Sequence, residues 1–188
     1  ITEEWLQQTF SHDDNFVEPM KKVMLESREA VVNYMMPLGL HHIFAENHHY
    51  GPQPWLSEAG REDWTSVYYH KADSLGIGFD RTITGSNAVS QYFSPLWDEL
   101  CYKYDLGVRQ ARDFQKVWDR MEKYIDPERF FEVQSKLKIQ TKDAVWWKDA
   151  CLLYFQTFSK RPIPYEIERP VHELYELKSI KLDMTHHN

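Results

Sequence analysis

The chain has 188 residues, 42% of them hydrophobic and 27% charged, with a formal net charge of −7; this suits one domain with a real core and lacks the excess of Lys and Arg that a nucleic-acid partner would need. No apolar run approaches the ~20 residues that cross a bilayer, and no charged-then-apolar leader opens the chain, so neither a membrane partner nor a visible secretory precursor is expected. The two cysteines, Cys101 and Cys151, exclude a disulfide framework and a four-cysteine zinc site.

Aromatic residues reach 15%, with 7 Trp and 11 Tyr against only 7 Gly. That balance favours long regular elements bearing large flat side chains over a loop-rich β fold, and the expected class is all-α. The chain starts at Ile1, without an initiator Met and already within an amphipathic-looking stretch, and is expected to be a piece of something larger.

From Val17 to Leu38 the apolar residues Val17, Met20, Met24, Val31, Tyr34, Met35 and Leu38 fall on one helical face between charged residues. A cap is expected at Asp13, Asp14 or Asn15, Pro19 is tolerable in the first turn, and Pro37 with Gly39 ends the helix. Residues 39–95 show no sustained period and are dense in Gly, Pro, His and aromatic residues, so this segment is expected to be loop-rich and to hold the functional residues.

Residues 96–160 are expected to be a helical scaffold. Leu96, Leu100, Tyr104, Gly107, Ala111, Phe114, Trp118, Met121 and Ile125 recur at steps of three and four, and Asp126-Pro127 then reads as the cap and first residue of a second helix. That helix can run to about Ser159, a rod of about 48 Å at 1.5 Å per residue. The short turn between the two makes them antiparallel. Trp146-Trp147 puts Trp on two faces of the second helix, which implies cover on both sides, expected from a second domain or subunit. Cys101 and Cys151 fall on apolar faces and read as buried, non-catalytic thiols. Pro162 and Pro164 stop the helix, and the tail is expected to be mixed, with at most a short helix around Val171 to Lys178.

Within 39–95 a turn fixed by Gly51, Pro52 and Pro54 holds flanking aromatics outward at little entropic cost. Such rings suit stacking on the C–H faces of a sugar, and His or Asn can pair its hydroxyls. Trp55 either stacks in this way or plugs an edge of the core. Asp80 and Arg81 form either a structural ion pair or a contact for a ligand carboxylate. The glycines Gly76 and Gly78 lack a P-loop lysine, so no nucleotide site is expected. The His pairs 41–42 and 48–49 with Glu46 have the wrong spacing for a metal centre, and no metal or other cofactor is expected.

The runs MPLGLHHI (36–43), HYGPQPW (49–55), DWTSVYYHKADSLGIGFDRT (63–82), GSNAVSQY (85–92) and AVWWKDACLLYFQTFS (144–159) resemble the C-terminal region of the α-glucuronidases of glycoside hydrolase family 67, over about Val17 to Pro164. The resemblance implies a xylan-degrading parent enzyme that releases (4-O-methyl)glucuronic acid α-1,2-linked to xylo-oligosaccharides. It also implies three parts, of which the helical C-terminal one packs on a TIM barrel and takes part in a homodimer. The implied mechanism is inverting, with the catalytic carboxylates in the barrel. None of this chain's acids matches them, so Glu46, Asp73 and Asp80 are not assigned catalysis. The chain's own share would be enclosure of the substrate, with Trp55 stacking on it and His49, Tyr50 and Arg81 as further candidate contacts.

One departure from the family pattern is that Phe93-Ser94-Pro95 runs straight into Leu96-Trp97-Asp98, where the family has a further stretch. A spatial break near Pro95 to Leu96 is expected there; a normal peptide bond between them would instead mean a deletion. The class competing with the enzyme part is a non-catalytic sugar-binding or protein-interaction module on the same helices. A metal-dependent hydrolase using the His cluster is a third. The compartment stays open, secreted or periplasmic being slightly favoured over cytoplasmic.

Overall fold

The computed structural model describes residues 1–40, 43–45, 51–66 and 96–169. Among them the regular structure is helical: α1 (Thr2–Thr9), α2 (Asp14–Met35), α3 (Trp97–Asp119) and α4 (Pro127–Ser159), with three 3-10 turns and a single isolated β-bridge. The all-α expectation holds for these residues. The expected short helix at Val171 to Lys178 and the expected break at Pro95 lie outside the described residues.

α2 starts where the expected cap places it, three residues before Val17, the first residue of the apolar stripe. Asp13 is its N-cap and accepts from the Asn15 amide at 2.9 Å, satisfying one of the free donors of the first turn. Pro19 therefore falls in the second turn of α2 and not in the first, where its ring removes the amide that residue 15 would have bonded. The helix stops where expected, because Pro37 begins a 3-10 turn in which Leu38 and Gly39 take φ 57° and 82°.

α3 and α4 are the antiparallel pair. Asp126 caps α4 by accepting from the Arg129 amide at 3.0 Å, and Pro127 takes its first position. The apolar stripe overshoots the end of α3, however. α3 ends at Asp119, yet Met121 and Ile125 stay buried because a 3-10 turn at Glu122–Tyr124 keeps the same side of the backbone inward. Trp118 ties this corner together, stacking on Phe130 at 5.9 Å and donating to the Phe130 carbonyl at 3.0 Å.

The core forms two clusters along the bundle. One joins α1, the start of α2, the α3–α4 corner and the start of α4 through Leu6, Phe16, Val17, Trp118 and Phe130. The other joins the end of α2, the start of α3 and the second half of α4 through Tyr34, Trp97, Tyr104, Trp147 and Phe155, and takes in Leu40 and Ile43 from the segment that follows α2. The aromatic segment is thereby anchored to the end of the bundle where α3 begins and α4 ends.

Cys101 and Cys151 are buried and unbridged in the second cluster. Burial pushes both thiols up to about 12, so essentially no thiolate exists at pH 8. Ellman's reagent is expected to find no reactive thiol in the folded chain and two after denaturation; rapid reaction of the native protein would contradict the burial.

Candidate functional site

The described part of the aromatic segment is built on α4. Its first turn is a narrow antiparallel ladder in which the Ala45 amide donates to the Gly51 carbonyl at 2.9 Å and the Gln53 amide to the Ile43 carbonyl at 2.8 Å, pairing Phe44 with Pro52. Ile43 is buried in the bundle, and Phe44 meets Trp147 edge-on at 5.1 Å between centroids. Gly51 has φ +48°, and a Cβ there would sit 2.5 Å from the Trp146 ring. Backbone conformation and space both demand glycine, because the turn lies directly on the indole.

Trp146 is thus partly covered by this chain itself and stays half-buried. The Gly51 turn lies on its ring and Arg169 adds to the cover, its guanidinium 5.8 Å from the ring centroid. Trp147, the other member of the pair, points into the core.

Trp55 lies just past this turn. It is half-buried, its ring 6.5 Å from that of Tyr154 on α4, and its indole N–H is buried without an acceptor among the described residues. Part of the ring is a plug and part remains accessible, so the structure leaves it both of the roles considered for it. His49, Tyr50 and Arg81 lie outside the described residues, as do Glu46, Asp73, Asp80 and the paired histidines.

Farther along, Trp64 is 40% exposed. Arg61 lies 5.4 Å over its ring and is itself fixed by two hydrogen bonds to Asp63, at 2.9 and 2.7 Å. Ser66 closes the segment back on the ladder by donating to the Phe44 carbonyl at 3.2 Å. In the sequence Trp64 stands only as part of the 63–82 run. The nearby Arg61 and Asp63 were the available signal that this ring is braced.

A second constellation went unnoticed in the sequence. Lys148 and Asp149, only 1% and 0% exposed, sit side by side in the apolar second half of α4. Lys148 Nζ donates to the Glu166 carbonyl at 2.8 Å and pairs with Glu168 at 3.2 Å and Asp149 at 3.6 Å. Asp149 accepts the backbone N–H groups of Glu168 and Arg169 at 2.9 and 2.7 Å. Burial pushes the Asp149 carboxyl above its ordinary range against the pull of those donors and of Lys148. Burial also pushes Glu168 up, but Arg112 and Lys148 together outweigh it and hold that carboxyl below its ordinary range. Two charged residues within an otherwise apolar helical stretch are the local clue. Their partners come from a tail with no periodicity.

The chemistry offered by the described residues is therefore stacking and positioning: aromatic faces on a braced loop, with the buried charges committed to the tail. Among the described residues no cluster of three or more His, Cys, Asp or Glu could hold a metal ion.

A family model described as "Glycosyl hydrolase family 67 C-terminus" matches residues 1–96 and 94–168, in two stretches that meet where the sequence departs from the family pattern. "Alpha-glucuronidase A" of Emericella nidulans is 27% identical over 221 aligned residues, covering 98% of this chain and 25% of that protein. "Probable alpha-glucuronidase A" of Aspergillus clavatus is 27% identical over 97% of this chain and 26% of its own length. "Alpha-glucuronidase" of Hypocrea jecorina is 26% identical over 98% and 25%. The chain spans about a quarter of the length of these relatives. The 221 aligned positions exceed the 188 residues of the chain, so the first of them carries residues with no counterpart here.

Proposed function

This chain belongs to glycosyl hydrolase family 67, as its C-terminal region, and from that premise we propose that it is the helical brace of an α-glucuronidase. The complete protein would release (4-O-methyl)glucuronic acid α-1,2-linked to xylo-oligosaccharides. Its catalytic carboxylates would lie in a barrel encoded in the same polypeptide, and two copies would associate. The single helical domain formed here would turn its aromatic loop toward that barrel and close one side of the substrate site, without a cofactor.

The observation that carries this reading is the mounting of the loop. A segment rich in aromatic residues is held on a long helix by a glycine that admits no side chain, and beyond it stands a partly exposed tryptophan braced by Arg61. Rigid, partly exposed indoles suit the apolar faces of xylose rings, and a rigid mount lowers the entropic cost of binding. Trp55 remains the proposed stacking residue, with His49, Tyr50 and Arg81 as proposed further contacts to the substrate, and Trp64 joins them.

The test is hydrolysis of aldobiouronic acid by the complete protein and by residues 1–188 alone. Activity is expected in the former only, and glucuronic acid released by the isolated chain would overturn the placement of the acids outside it. Binding of xylan by the complete protein without cleavage would instead favour a sugar-binding module. In the complete protein Trp64→Ala is expected to raise KM about three- to tenfold with kcat within about twofold, the size of one lost stacking contact. A kcat loss at unchanged KM would remove Trp64 from the binding face.

A further inference from the structure

Residues 160–169, beyond α4, follow the bundle closely. Lys160 turns the chain with φ 56°, Trp97 Nε1 donates to the Pro162 carbonyl at 3.1 Å, Arg161 pairs with Asp98 at 2.6 Å, and Glu168 pairs with Arg112. Asp98 and Arg112 lie fourteen residues apart on α3, while Arg161 and Glu168 lie seven apart on the tail. At ~1.5 Å per helical residue and ~3.3 Å per extended residue the two spans agree, so residues 161–168 form an extended strap laid along the helices.

At residues 166–169 the strap meets the aromatic loop's own support. Lys148 and Asp149 fix the backbone of residues 166–169, which sets Arg169 over one side of Trp146, and the Gly51 turn lies on the same indole. The Trp146 N–H is buried and has no acceptor among the described residues. Packing by Arg169 and Gly51 therefore contributes to holding the ring.

We propose that Asp149 and Arg169 are positioning residues for the aromatic loop: the strap, set by the buried Lys148–Asp149 pair, fixes Trp146, and Trp146 fixes the Gly51 turn and the Phe44–Pro52 pairing. The position of the loop is then decided from the C-terminal strap. This rests on the reading of that loop as the substrate-facing edge. The coupling is mechanical, a series of three contacts, and can be tested as such.

Hydrogen exchange on the complete protein tests it. In Arg169→Ala, exchange at the Ala45 and Gln53 amides is expected to accelerate about tenfold with the α3 amides unchanged, and Arg169→Lys, which returns a cation to the ring, is expected to restore protection. The same Ala variant is expected to raise KM for a glucuronosylated xylo-oligosaccharide about threefold or more with kcat within about twofold. Asp149→Asn is expected to act on the same amides; if it does not fold, Arg169→Ala decides. Unchanged exchange at Ala45 and Gln53 overturns the proposal, as does acceleration spread equally through α3. Faster loop exchange with KM unaltered also overturns the positioning role. If the unmodified protein releases no glucuronic acid, the functional reading fails while the exchange data still decide the coupling.

Discussion

Replacing Lys148 by Met is expected to lower the unfolding free energy by about 3–5 kcal/mol at neutral pH, the usual cost of leaving one member of a buried ion pair without its partner. Met preserves the volume of the side chain, so the loss is electrostatic. Asp149, fully buried, keeps its two backbone donors but loses the only cation that the structure places beside it among the described residues, and Glu168 keeps Arg112. The pH dependence gives a second signature. The folded-state pKa of Asp149 already lies above its unfolded value because of burial, and losing Lys148 pushes it higher. A group raised in this way adds stability below its unfolded pKa and loses that contribution as pH rises through the folded value. The deficit of Lys148→Met should therefore shrink as the pH is lowered from neutral through that raised range. Chemical denaturation of both forms at several pH values measures it, and a deficit that is flat with pH would mean that Asp149 is not the group left exposed to the loss.

Gly107 is the other position of large expected effect. It lies inside α3 where α2 crosses, and a Cβ there would stand 2.6 Å from the Tyr34 amide nitrogen, 2.8 Å from the Tyr34 Cβ and 3.0 Å from the Asn33 carbonyl carbon. Two of these atoms belong to the backbone of a packed helix and cannot rotate aside. Beside them buried Asn33 donates to Gln110 at 2.9 Å, so parting the helices also strains a hydrogen bond across the crossing. Alanine gains about 1 kcal/mol of helix propensity over glycine, and overpacking costs about 1–3 kcal/mol or more where backbone must move. Gly107→Ala is expected to be destabilised on balance by about 1–2 kcal/mol and Gly107→Val by more. Gly60 is the control, since among the described residues a Cβ there meets nothing closer than Trp64 at 4.0 Å, and Gly60→Ala is expected to stay within about 0.5 kcal/mol of the unmodified chain or to gain slightly. Thermal melts of the three variants separate the cases; equal stability of Gly107→Ala and the unmodified chain would mean that the crossing is not close-packed.

The helical scaffold was legible because its signals are local. Asp126-Pro127 names a helix start from two adjacent residues, Asp13 was among three candidate caps, and the stripe from Leu100 to Trp118 lies on a face that is indeed buried. The same stripe misplaced the end of α3, since spacing of three and four residues is satisfied equally by the 3-10 corner that carries Met121 and Ile125. The burial of both cysteines followed from their helical faces. The aromatic segment was legible as a segment, and its Gly51 turn as a turn, but its mount was not.

Periodicity and capping depend on neighbours within a turn or two, so the order of residues alone determined the helical class, three of the four helices and the antiparallel pairing of the last two. Contacts between distant residues carry no such repeat. That Gly107 yields to Tyr34, that Trp146 is partly covered by the Gly51 turn and Arg169, and that Lys148 and Asp149 are buried against the strap were decided only when packing brought those positions together, because burial of a charge or a bare backbone is tolerable only where a particular partner from elsewhere in the chain arrives to match it.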